Sequence, residues 1–251
     1  MKSDFDEIID KFFYINGLSY VKGINNNSTN SCGLTFEQLL NKKADSNYFP
    51  DFNGIEIKTT QRFSRYSIGL FSLSFDGPDI YESNYVLQKY GKENIIFENK
   101  KELFVNCKIK EKVLVNNNYY FELNIDYVNK KLLIDIFDLD YNYIESRCFL
   151  SFSNIEKRIN TKLQKLALIF ASKKIEQKWF YFRYYKIECY IMKDFNTFLK
   201  LIETGDIEIH LMLRFAKNGK DIGKNKNKNF VFRIKKDSMN KLFDEIYSFE
   251  N

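Results

Sequence analysis

Apolar residues recur with a helical period over residues 3–14, where Phe5, Ile8, Ile9, Phe12 and Phe13 fall on one stripe, and this spacing predicts an amphipathic helix. A polar, Asn-rich loop follows over residues 23–30. A second helix is predicted to begin near Thr35, because Thr35-Phe36-Glu37-Gln38 has the form of a capping box and Leu34 can staple to Leu39. The polar stretch 41–47 should end it. From residue 54 to residue 59 the period changes to two, which predicts a strand with Glu56 and Lys58 on one face and Ile55 and Ile57 on the other. Residues 66–74 read as another strand.

Downstream, residues 80–90 are helical in period, and residues 102–137 are strand-rich, with Asn116-Asn117-Asn118 and Asn129-Lys130 as turn candidates. Residues 151–166 read as a helix, 166–171 and 178–191 as strands, and 194–203 as a helix stopped by Gly205. Strands at 206–215 and 229–235 and a closing helix at 237–247 complete the pattern. The fold class is mixed α/β, with no internal repeat and no linker. The strand-rich middle allows a division into two lobes, one of about residues 1–100 and 150–175, the other of about 101–149 and 176–251.

Composition supports a folded chain: of 251 residues, 44% are hydrophobic and 17% aromatic, with only 10 Gly and 2 Pro, enough apolar material for a sizeable core. The longest apolar run, 166–171, is far short of a membrane span, and Met1-Lys2-Ser3-Asp4 opens no signal peptide, so a cytoplasmic protein with no membrane partner is expected. Cys32, Cys107, Cys148 and Cys189 form no CxxC pair and His210 is the lone histidine, which supports neither a zinc site nor a disulfide framework and leaves the cysteines as core or half-buried thiols. No Walker A or dinucleotide glycine pattern is present, so no nucleotide cofactor is expected. Serine or cysteine hydrolase chemistry would depend on His210, which has no motif around it.

The net charge of +6 suits a polyanionic partner, and its distribution sharpens this. Between Arg214 and Lys236 the chain carries Lys217, Lys220, Lys224, Lys226, Lys228, Arg233 and Lys235 against the single acid Asp221. That segment has the footprint of a phosphate-contacting surface, although a solvated Lys/Asn loop has the same composition. The strongest chemical signal is Pro50-Asp51-Phe52-Asn53-Gly54-Ile55-Glu56-Ile57-Lys58. Asp51 and Glu56 can turn oxygens onto one hard cation such as Mg²⁺, and Lys58, on the face of Glu56, can hold an attacking water. The spacing alone is also that of a solvent-facing strand edge. Asp135, Asp138 and Asp140 read as a solvated strand end and turn, and the aromatic run Trp179, Phe180, Tyr181, Phe182, Tyr184 and Tyr185 as core plus a half-exposed face, with base stacking the sharper alternative.

Cys32-Gly33-Leu34-Thr35-Phe36-Glu37-Gln38-Leu39-Leu40, the Asp51 to Lys58 segment and Gly69-Leu70-Phe71 together resemble the MvaI/BcnI family of type II restriction endonucleases, relatives of the MutH mismatch-repair nickase. The likeness runs on in order through Gln88-Lys89-Tyr90-Gly91-Lys92, Leu150-Ser151-Phe152, Lys162-Leu163-Gln164-Lys165-Leu166-Ala167, Gly205-Asp206-Ile207 and Phe232-Arg233-Ile234.

The resemblance implies a PD-(D/E)XK nuclease core with a second DNA-recognition lobe, Asp51 and Glu56 as ligands of Mg²⁺, Lys58 as the lysine that orients water, and Glu37 as a supporting acid. An ordinary first-turn acid favoured by the helix dipole is the plain alternative for Glu37. It further implies Arg233 as a guanine reader, a monomer acting on double-stranded DNA, cleavage to 5′-phosphate and 3′-hydroxyl ends, and a cognate DNA methyltransferase in a bacterial cell. A repair nickase, or a DNA-binding protein without cleavage, is the alternative on the same fold. Where relatives carry histidines, this chain has Lys224-Asn225-Lys226-Asn227-Lys228-Asn229, and His210 and Met212 stand on a strand expected to be more charged, so the family's CC/GG target does not carry over directly.

Overall fold

The computed structural model describes residues 4–26, 30–41, 48–76, 81–95, 97–217, 222–224 and 229–251. Its elements run α1 (Asp6–Gly17), β1 (Val21–Lys22), α2 (Ser31–Leu39), β2 (Glu56–Gln61), β3 (Ile68–Leu73), α3 (Tyr81–Tyr90) and β4 (Lys92–Glu93). Then come β5 (Lys101–Cys107), β6 (Val113–Val115), β7 (Tyr119–Asp126), β8 (Lys131–Phe137), β9 (Tyr143–Ser151) and α4 (Phe152–Lys162). The chain closes with β10 (Lys165–Glu176), β11 (Trp179–Met192), α5 (Phe195–Glu203), β12 (Ile207–Leu213), β13 (Asn229–Ile234), a short 3₁₀ turn (Lys236–Ser238), α6 (Met239–Leu242) and β14 (Phe243–Glu250).

The chain forms two compact units: residues 1–68, 158–197 and 236–251 make the first, and 69–157 and 198–235 the second. In the first, one sheet has the order β1-β11-β10-β2, with β14 also paired to β11. β2 runs parallel to β10, and the other pairs are antiparallel. Residues 178–191 and 243–250 therefore belong to the sheet that carries Glu56, whereas the sequence pattern groups 176–251 with the other lobe. One face of this sheet is apolar: Ile57, Ala167, Ile169, Phe182, Tyr184, Ile187 and Cys189 pack with Ile8 and Phe12 of α1 and Cys32 and Phe36 of α2. Burying these side chains stabilises the unit by roughly 2 kcal/mol each, which is what holds the two helices against this face.

The second unit holds two sheets, β3-β13-β12-β5-β4 and β6-β7-β8-β9. Phe71, Phe198 and Phe232 form an aromatic cluster with ring centroids 4.7–5.9 Å apart, anchoring α5 to the first of them. The predicted turns at Asn116-Asn117 and Lys130 adopt positive φ, as tight hairpins require. All four cysteines are buried free thiols.

Two local expectations are corrected. α2 begins at Ser31, a turn earlier than expected, and its N-cap Asn30 makes no side-chain cap bond. Thr35 is buried inside the helix and donates its hydroxyl to the Ser31 carbonyl at 2.7 Å, so the capping box does not form. The helix over 237–247 is likewise limited to Met239–Leu242, and residues 243–250 extend as β14 along the edge of β11. There Tyr247 and Phe249 reach the core, and the edge's peptide groups gain partners, which outweighs a weak local helix preference.

Candidate active site

Asp51 and Glu56 are brought together by a two-residue turn. Phe52 and Ile55 exchange both backbone hydrogen bonds, N–H to carbonyl at 2.9 and 2.7 Å, and Asn53 and Gly54 between them take φ of 44° and 82°. Asn-Gly is the pair that tolerates two left-handed residues in succession, so the intervening sequence sets the geometry of the carboxylates on either side. Asp51 is fixed further by the Ile57 N–H, which donates to its Oδ2 at 3.1 Å. Asn53 donates to Glu7 Oε2 at 2.7 Å and ties the turn to α1.

Glu56 opens β2 and is 1% exposed, which settles the alternative of a solvent-facing strand edge. Lys58, two residues on and on the same face, ion-pairs with its Oε1. The other carboxylate oxygen lies 3.2 Å from Nζ of Lys162, a lysine only 5% exposed at the end of α4. Burial pushes the Glu56 carboxyl up from its ordinary range, the negative charge of Asp51 adds to this, and Lys58 and Lys162 oppose it. The result is a pair of coupled carboxylates with a cation on either side of one of them.

Lys162 escaped the reading of the chain as a site residue, although it opens the Lys162-Leu163-Gln164-Lys165 stretch. Its signal is the tertiary one of a buried lysine, which needs a partner. Glu37 stands half-buried on α2, one turn beyond Gly33. A Cβ at Gly33 would come 3.1 Å from the Thr59 hydroxyl, so glycine there lets α2 approach β2 closely. Asp135 and Asp138 serve turns and neighbouring strands: Asp138 accepts from the N–H groups of Asp140 and Asn142 at 2.9 and 2.8 Å, and Asp135 from Asn124 at 3.0 Å. Among the described residues no group of three or more His, Cys, Asp or Glu side chains is arranged to hold a metal ion.

In the second unit, β12 and β13 pair Glu208 with Arg233 and His210 with Val231, and β5 places Asn106 beside His210. On β12 the side chains of Ile207, Ile209 and Leu211 are buried, so Glu208, His210 and Met212 lie on the opposite, partly exposed face. Glu208 Oε2 is 3.7 Å from His210 Nε2. Burial and then the Arg233 charge lower the proton affinity of His210 below the ordinary 6.5, with Glu208 opposing. Lys217 is held by both oxygens of Glu102 at 3.0 and 3.1 Å, while Lys224 is exposed. Ala216 and Lys224 close the base of their loop, the Ala216 N–H donating to the Lys224 carbonyl at 2.8 Å. Lys220, Lys226 and Lys228 lie outside the described residues.

The model of the MvaI/BcnI restriction endonuclease family matches residues 9–243. The chain belongs to the MvaI/BcnI restriction endonuclease family. As a member it is a type II restriction endonuclease. Two solved structures are similar in fold to this family member: "Restriction endonuclease MvaI-cognate DNA substrate complex", at a TM-score of 0.89, 24% identity and 98% coverage of both chains, and "Restriction endonuclease MvaI in the absence of DNA". The latter has a TM-score of 0.61 and 24% identity over 99% of this chain and 98% of that one. No curated protein matches the sequence significantly. No helix among the described residues is long and apolar enough to cross a membrane.

Proposed function

We propose that this endonuclease hydrolyses phosphodiester bonds at a short specific site in double-stranded DNA, with Mg²⁺ held by Asp51 and Glu56 and with Lys58 serving the attacking water. The observation that carries the reading is the buried Glu56 carboxylate, coupled to Asp51 and flanked by two lysines. Two carboxylates with no competing imidazole or thiolate suit a hard cation that keeps several waters and takes one or two protein oxygens. When bound, such a cation polarises the phosphoryl oxygens and lowers the pKa of a coordinated water.

The chain's own residues supply the rest. Asp51, held by the Ile57 N–H, keeps its negative charge near enough to Glu56 to raise that carboxyl's proton affinity. Lys58 is less buried than Glu56, with 23% of its side chain exposed, so its ammonium can meet both water and a phosphate while remaining beside the carboxylate. Its positive charge offsets charge developing on the phosphorus-bound oxygens. Lys162, deeper, compensates Glu56 before any cation arrives. The partly exposed strand face with Arg233 and His210 suits base edges in the major groove, and the exposed Lys224 suits phosphates.

We further read the enzyme as a monomer, paired with a methyltransferase that protects the same site, acting in the bacterial cytoplasm. Incubation of plasmid DNA with the protein and Mg²⁺, followed by sequencing of the ends, tests the reading. Discrete ends at one short sequence are expected. Intact DNA over a range of enzyme and Mg²⁺ concentrations would overturn it.

A further inference from the structure

The sheet face that carries Glu56 and Lys58 does not end at the carboxylates. In β2, side chains 56, 58 and 60 share a face, and Arg62, whose N–H bonds to the Ala171 carbonyl, continues it. In the neighbouring β10 the same face runs through Leu166, Leu168, Phe170, Ser172 and Lys174, paired beyond the bulge with Arg183 and Tyr181 of β11. β1 extends the row: Lys22 lies opposite Tyr181. From the register of Lys58, paired with Leu168, to Lys174 is six residues, about 20 Å of strand.

Along this lane the cations rest mostly on rings. Lys22 Nζ is 4.1 Å from the Trp179 ring centroid, Lys174 Nζ is 4.4 Å from that of Tyr20, and the Arg62 guanidinium is 5.5 Å from that of Tyr185. A ring face holds an ammonium in place while leaving its N–H groups available to an anion. Lys174 also meets Glu176 at 2.8 Å, whereas among the described residues no carboxylate lies within ion-pair distance of Lys22, Lys178 or Arg183. At the tip, Gln177 and Lys178 both take positive φ, 47° and 67°, in a two-residue turn that favours Asn-Gly, and Lys178 is thereby set at the end of the hairpin.

We infer that the β10–β11 hairpin end, with Lys22, Lys174 and Arg183, is a second contact for duplex DNA, binding the phosphate backbone outside the recognition sequence. It rests on the DNA-cleaving reading above. A duplex backbone repeats its charge every 3.4 Å along each strand, so a lane of about 20 Å spans roughly six phosphates from the carboxylates. Within the aromatic run, Trp179 and Tyr181 then support Lys22 and Lys174, the latter at 5.6 Å, while Phe182 and Tyr184 belong to the core on the other face.

The test is the salt dependence of binding to a fluorescent duplex of about 40 base pairs and arbitrary sequence, without divalent metal, by anisotropy. Each of Lys22→Ala, Lys174→Ala and Arg183→Ala should lower the slope of log K against log salt by about 0.9, and the triple variant by about 2.7, with at least a tenfold loss of affinity. Lys11→Ala, on the helix packed against the opposite face of the sheet, should leave the slope unchanged, and Lys174→Arg should retain it. Thermal melting of each variant separates loss of contact from loss of fold, and a variant that melts early is replaced by its Gln counterpart. Slopes that stay at the wild-type value in folded variants, or that fall equally in Lys11→Ala, would overturn the inference while leaving plasmid cleavage by the wild type intact. Failure of the wild type to cut plasmid and to bind the duplex would remove both.

Discussion

Lys162 Nζ lies 3.2 Å from Glu56 Oε2 with both side chains almost wholly out of solvent, joining the end of α4 to the start of β2 through the carboxylate that also meets Lys58. A buried ion pair is costly to break from one side because the survivor stays charged in a poor solvent.

Lys162→Ala is therefore expected to destabilise the fold by about 3 kcal/mol, measured by urea denaturation. The paired change Lys162→Met with Glu56→Gln should recover most of that stability while remaining inactive. A Lys162→Ala protein as stable as wild type would show that Glu56 is neutralised by other means.

Asp51→Asn and Lys58→Ala should each lower the single-turnover cleavage rate by several orders of magnitude, while affinity for the cleavable site changes little. In the proposed mechanism these groups act on the reacting phosphate, so binding and chemistry should separate. A Lys58→Ala enzyme cutting at the wild-type rate would remove Lys58 from the mechanism.

Arg233 and Lys224 should fail differently. Arg233→Ala, on the sheet face with Glu208 and His210, is expected to lose about 1–3 kcal/mol of discrimination at one guanine, read from cleavage of single-base variants of the site. Lys224→Ala should weaken binding to all sequences alike and lower the salt slope by about one unit. An unchanged ranking of site variants in Arg233→Ala would demote that arginine to a phosphate or structural role.

His210 gives the fold a pH signature. Its folded affinity for protons is depressed below 6.5 by burial and by Arg233, so below that pH the unfolded chain takes up a proton that the folded one resists. Stability should fall as pH drops through 6.5 and the His210 contribution should level off below the folded pKa. His210→Gln should flatten this part of the stability curve relative to wild type in denaturation series from pH 8 to about 5. Parallel curves for the two proteins would show that His210 titrates normally in the fold.

Local pattern was enough for most elements. Period two at residues 54–59 and 3.6 at residues 3–14 follow from which positions must meet a core, and both β2 and α1 form where those periods occur. The Asp51, Glu56 and Lys58 set was legible too, because an Asn-Gly turn and strand alternation place these residues within a few positions of one another. Two elements were misread where neighbours overrode local preference. Thr35 is a helix-start residue by composition, but Ser31 and Cys32 are buried, so α2 starts earlier. Residues 243–250 have helical spacing, yet the open edge of β11 recruits them as a strand.

The alternation that puts Glu56 and Lys58 on one side of a strand, the turn that returns Asp51 to them, and the family to which the chain belongs are all written in the order of residues along the chain. That Glu56 is buried, that a lysine more than a hundred residues away pairs with it, and that β1, β10 and β11 extend its sheet face with cations come from the packing of distant elements. Spacing along the chain fixes direction within one element, whereas burial and the pairing of distant charges depend on which elements pack together, and that is settled by the whole core at once.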